Sequence, residues 1–197
     1  MAALTDPNLW LYLVPGAGVL ALIYAFVTTA WINKQEVGTD RMREIGTDIK
    51  DGARAFLAAE YKVLAIFVVI VAIALTAMNH GNEQSHALVG LSFLIGAICS
   101  AVAGYAGMMV ATSANVRTAH AARTGLAEAL MVAFRGGAVM GMSVVGLALL
   151  GLGSLFLMYF KGNVGGLGGS ENLQQAIQVL AGFSLGASSI ALFARVG

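Results

Sequence analysis

The residues with most chemistry to offer lie near the C-terminal end of this 197-residue sequence, where Gln174, Gln175, Gln178, Ser184, Ser188, Ser189 and then Arg195 interrupt an otherwise apolar stretch. At 100° per residue, Ser188 and Arg195 fall about 40° and about 20° round a helix from Ser184, so the three make one polar stripe. Such a stripe is a poor neighbour for lipid. A cation inside a membrane costs about 2.5–3.5 kcal/mol even on the lenient insertion scale. Arg195 must therefore reach the headgroup interface, as a positive anchor at a helix end, or meet an anion inside a bundle or cavity.

Other reactive residues are sparse. Cys99 is the single cysteine, so an internal disulfide or a cysteine-based zinc site is excluded, and at mid-helix it reads as a small packing residue. His80, Glu83 and His86 stand at three-residue steps that suit metal ligands, but in a short polar loop with no anchoring scaffold, and no metal site is expected there. The sequence has no Walker loop, no zinc-protease motif and no Asp-rich phosphate or magnesium cluster. A formal charge of +1 without a basic face argues against a nucleic-acid partner.

The elements that must position these residues are set by the solvent. Hydrophobic residues make up 58% of the chain and charged ones 11%, with a mean hydropathy of +0.82. A water-soluble domain of this length could not hide so much apolar surface, so lipid is the expected neighbour. Crossing a hydrocarbon layer about 30 Å thick takes roughly 20 helical residues. Five stretches meet that length, near 9–32, 57–78, 87–112, 136–160 and 173–194, and they predict a single all-α transmembrane domain. Trp10 and Trp31 bracket the first at a helical separation of about 31 Å, which suits indoles in opposite headgroup layers. That stretch has no basic lead-in and is too long for a signal-peptide core, so it reads as a retained anchor.

Orientation follows from the basic residues. Along the chain the segments outside the spans carry zero, six, zero, three, one and one of the eleven Lys and Arg. The positive-inside rule then places the N-terminus outside, Lys34–Lys62 in the cytoplasm, Asn79–His86 outside, and the C-terminus in the cytoplasm. With Lys34–Lys62 counted as cytoplasmic, no span but the fifth supplies an ionisable residue, so Arg195 finds no carboxylate in the others. Within that segment, 39–56 is an amphipathic helix entering span two, with Met42, Ile45, Ile49, Ala53 and Phe56 on one face, either lying on the membrane or packed on a helix end. The glycine-rich loop Lys161–Gly169 follows span four, with Ser170 as the cap of span five. Small residues four apart, Ser100 with Gly104, Ala103 with Gly107, Gly137 with Gly141 and Gly182 with Gly186, predict close helix packing.

Four strings carry more specific information. Thr39-Asp40-Arg41-Met42-Arg43-Glu44-Ile45, continuing to Gly52-Ala53-Arg54-Ala55-Phe56-Leu57 and Glu60-Tyr61-Lys62, resembles the first cytoplasmic segment of membrane-integral, ion-translocating inorganic pyrophosphatases. Gly104-Tyr105-Ala106-Gly107-Met108, with Val110-Ala111-Thr112 and Ala114-Asn115-Val116-Arg117-Thr118-Ala119, is similar to that family at the exit of the third helix. Ala133-Phe134-Arg135-Gly136-Gly137-Ala138-Val139-Met140-Gly141 resembles its fourth helix, and Gly186-Ala187-Ser188-Ser189 with Leu192-Phe193-Ala194-Arg195-Val196-Gly197 its fifth. The matches run in order from Lys34 onward.

The resemblance implies the first part of a bundle of about sixteen helices, in an enzyme that hydrolyses pyrophosphate with Mg²⁺ at the cytoplasmic face and moves Na⁺ or H⁺ outward. It implies a homodimer, with K⁺ dependence set by later helices; a prokaryotic-type inner membrane is expected separately, because no targeting peptide precedes span one. In that family the catalytic lysine and the magnesium-binding aspartates follow the Arg-Val-Gly string, so this chain is expected to be an N-terminal piece, with no catalytic residue of its own and no activity alone. By the same resemblance Arg195 matches the ion-gate arginine and Ser188 a serine of the coupling channel. The rival readings from the residues themselves are a small five-helix transporter subunit and a non-enzymatic membrane scaffold.

Overall fold

In the computed structural model the described residues are 7–80, 87–161, 163–164, 167 and 173–196, with side chains from Leu11 to Ala194 within those ranges. They form five long helices: α1 Pro7–Asn33, α2 Asp40–Met78, α3 Leu88–Ala121, α4 Leu126–Phe156 and α5 Leu173–Val196. A π-helical turn, Leu157–Lys161, extends α4. All five are long and apolar enough to cross a membrane. The expected all-α bundle is therefore what forms.

The amphipathic segment and the second apolar stretch run as one helix, α2, whose 39 residues reach about 58 Å. Thr39 caps it, its hydroxyl accepting from the Met42 amide at 3.3 Å. No Gly-Pro break or second cap divides this helix, because charged and apolar halves alike are good helix formers. Of its apolar face, Ile45, Ile49 and Phe56 are 42%, 43% and 37% exposed, while Met42 and the neighbouring Gly46 lie toward the end of α3.

α3 is the central helix, packed against α2, α4 and α5, while α1 packs on α4. The tightest approach is between α3 and α5. A Cβ on Gly186 would collide with the Phe93 carbonyl oxygen, and one on Gly182 would come within 2.5 Å of the Val89 oxygen, so only glycine lets these backbones meet. Of the other small pairs, Gly107 accommodates Met140, whereas Gly137 and Gly141 have nothing within 4 Å. Gly136, against Ala114, does the work expected of Gly137. Leu64, Val68, Phe93, Ala97 and Ile190 form the buried cluster joining α2, α3 and α5. A second cluster, Ala25, Ile32, Val110, Ala114 and Val139, joins α1, α3 and α4.

Candidate functional site

The glycine contact with α3 fixes the rotation of α5. Gly182 and Gly186 face α3, and Ser184 and Ser188, each two residues and about 200° further on, point away from it. Both serines are exposed on the outer face of the five-helix bundle. Ser189, about 140° round the helix from Ser184, lies off the stripe, and its hydroxyl donates to the Leu185 carbonyl at 2.8 Å. Arg195 belongs to α5, but its side chain lies outside the described residues. The structure thus brings Ser184 and Ser188 onto one face, and Arg195 joins that face through helical register alone.

The expectation that only the fifth span holds an ionisable side chain needs correction. Glu60 lies inside continuous α2, and both its carboxylate oxygens are buried without a hydrogen-bond partner among the described residues. Hydropathy does not mark this position, because Lys34–Lys62 reads as solvated, whereas α2 carries Glu60 one turn past buried Leu57. Its neighbour Tyr61 donates to the Ala101 carbonyl at 2.7 Å. On α5, Phe193 meets Phe67 of α2 with ring centroids 5.1 Å apart.

A second polar constellation, unremarked in the sequence beyond its charge, sits where α1 hands over to α2. Arg117 near the end of α3 donates from Nε to the Gln35 carbonyl at 3.1 Å and from Nη2 to the Asn33 carbonyl at 3.3 Å. Its Nη1 donates to both the backbone oxygen and the hydroxyl of Ser113, each at 2.8 Å. The guanidinium therefore satisfies carbonyls at the C-terminal end of α1, which the helix itself leaves open. Gly38, at φ +89°, makes the turn, and a Cβ there would meet the His120 ring at 2.6 Å. His120 Nε2 lies 3.3 Å from Glu36. Arg135 covers the Trp31 ring at 3.8 Å, so this indole is partly shielded. Ser113 four residues before Arg117 on one helix face was the available signal for this cluster.

The remaining candidates yield little. His80 is exposed, while Glu83, His86 and Ser170 lie outside the described residues. Among the described residues no three of His, Cys, Asp and Glu converge as metal ligands. On α2, Glu44 and Asp51 are exposed and paired with Arg41 and Arg54. Cys99 is half-buried beside Gly151, as a packing residue would be.

Comparison with known proteins covers nearly the whole chain. The family model described as inorganic H⁺ pyrophosphatase matches residues 19–197. A K⁺-insensitive pyrophosphate-energized proton pump of Caldanaerobacter subterraneus subsp. tengcongensis is 41% identical, over 95% of this chain and 27% of its own length. A putative K⁺-stimulated pyrophosphate-energized sodium pump of Clostridium tetani is 50% identical, over 92% of this chain and 24% of its own. A K⁺-stimulated sodium pump of the same description from Thermotoga maritima is 43% identical, over 94% and 26%. The chain spans about a quarter of the length of these relatives.

Proposed function

The chain belongs to the inorganic H⁺ pyrophosphatase family, and from that premise we propose that it is part of a membrane pump in which hydrolysis of inorganic pyrophosphate drives Na⁺ or H⁺ outward. The match over residues 19–197 carries the reading, and relatives named for both ions leave Na⁺ and H⁺ as the two candidate cargoes. The exposed face of Ser184 and Ser188 adds physical support. Hydroxyls directed away from the bundle are poorly placed against lipid and well placed against further helices that complete a polar path.

In this proposal the end of the bundle bearing Arg41, Arg43, Lys50 and Arg117 is cytoplasmic, Arg195 and Ser188 serve as gate and channel lining, and the assembled pump is a dimer. The chemistry needs cations to neutralise pyrophosphate and to activate water, and K⁺ is a second cation to be tested because relatives differ in their response to it. The hydrolytic centre is assigned to the part of the pump beyond these residues, where the family resemblance puts the catalytic lysine and the magnesium-binding aspartates.

This assignment is tested by hydrolysis. The 197 residues, purified in detergent with Mg²⁺, should release phosphate from pyrophosphate no faster than a mock preparation, while the full-length protein should turn over. Protein-dependent turnover by the 197 residues alone would show that the active site has been misplaced.

A further inference from the structure

Between the C-terminal end of α1, the first turns of α2 and the last turns of α3 lies a cleft of about 340 Å³, and three cations line it: Arg43, Lys50 and Arg117. Thr47, Ser113 and Asn33 supply hydroxyls and an amide to the same walls, and no carboxylate does. We propose that this cleft binds a phosphate-bearing anion, in a site separate from the α5 stripe.

The arrangement is not what membrane topology alone produces. A positive-inside bias explains why Lys and Arg are at this end, but it counts charge and is indifferent to direction. Here direction is specific. Arg43 and Lys50 lie about 20° apart on α2, with Thr47 about 40° from Arg43, whereas Asp40, Glu44, Asp48 and Asp51 lie about 60–140° round the same helix. Arg41 and Arg54, which are exposed, pair with Glu44 and Asp51. Among the described residues Arg43, Lys50 and Arg117 have no carboxylate within ion-pair distance. Three like charges brought to one cleft repel one another unless an anion joins them.

Arg117 is held ready for such a ligand. Four of its five N–H groups are taken by neutral acceptors, Asn33, Gln35 and Ser113, which fix the guanidinium plane without cancelling its charge. One Nη2 hydrogen is left. Arginine with lysine is a donor pair that suits phosphate oxygens, while the Thr47 and Ser113 hydroxyls donate to the Arg43 carbonyl and the Asn33 side chain. At about 30 Å³ per water, the cleft has room for a phosphate with part of its hydration shell. Asn33, in its wall, ends α1, so the cleft sits where an apolar helix leaves the membrane. A lipid headgroup phosphodiester and a free phosphate share the required chemistry.

The test uses the full-length protein, purified and delipidated, with thermal unfolding followed as phosphatidylglycerol, phosphatidylcholine or inorganic phosphate is added. The parent should be stabilised by phosphatidylglycerol or by inorganic phosphate beyond the phosphatidylcholine control. Each removed charge should raise the half-saturating concentration about fivefold, so Arg43→Gln with Lys50→Gln should raise it roughly twentyfold. Arg41→Gln with Arg54→Gln removes the same charge outside the cleft and should respond like the parent. A parent–variant difference with the lipid alone identifies a headgroup, and one with inorganic phosphate identifies a free anion. If the double variant does not purify, Lys50→Gln alone should show the fivefold shift. The proposal is overturned if neither ligand separates parent from cleft variant, or if the control pair loses the response equally. Neither result depends on whether the protein pumps.

Discussion

A guanidinium near the end of a membrane helix is stable in either of two ways, and substitution tells them apart. An interfacial anchor needs only charge, so Arg195→Lys in the full-length pump would leave transport and hydrolysis at parental rates. A gate residue paired with a carboxylate inside a bundle needs the planar fork as well. On the reading proposed here, Arg195→Lys reduces coupled transport in sealed vesicles by roughly tenfold, the scale of one charge-assisted hydrogen bond. Arg195→Ala strands a buried carboxylate and costs roughly a hundredfold or more, corresponding to about 3 kcal/mol. Parental rates for Arg195→Lys would return this residue to the anchor role. The Ser184–Ser188 face was legible from spacing, because helical register is the only information it needs. The Arg117 clamp was not, since it depends on the α1–α2 turn folding back onto α3, with partners about eighty residues away in sequence. Glu60 was overlooked for a related reason: burial of a carboxylate at a helix–helix seam is a tertiary fact, invisible to charge counting.

The five helices were readable because hydrophobic length alone determines which stretches can satisfy their backbone groups in lipid. Their ends were harder. Hydropathy marks where apolar residues stop, not where hydrogen-bonded backbone stops, so α2, α3 and α4 all run past the apolar stretches at the basic end. Small-residue spacing located the Gly182 and Gly186 contact correctly, yet the same pattern at Gly137 and Gly141 meets open space. Four-residue spacing shows that a groove exists on a helix, and says nothing of which neighbour fills it. The orientation of these elements is open to a direct check. Single cysteines at exposed Asp48 of α2 and at Gln84, in a Cys99→Ala background, are treated in intact cells with an impermeant maleimide. Position 84 should label and position 48 should not; the reverse pattern would invert the topology and with it the cytoplasmic gate.

At the scale of the whole molecule, the bundle has apolar and polar surfaces of different meaning. Exposed Phe26, Val63, Ile70 and Phe134 are ordinary for helices in lipid. The exposed Ser184 and Ser188 are ordinary only if more protein covers them. That contrast agrees with a chain spanning about a quarter of its relatives, and on the reading proposed above pumping belongs to a larger assembly. The most direct measurement therefore takes the full-length protein into sealed liposomes and follows phosphate release and ion uptake together after pyrophosphate and Mg²⁺ are added outside. The account predicts that H⁺ or Na⁺ accumulates inside only while pyrophosphate is being hydrolysed, and that an ionophore collapses the gradient without stopping hydrolysis. Hydrolysis that proceeds in tight vesicles with neither ion moving would contradict it.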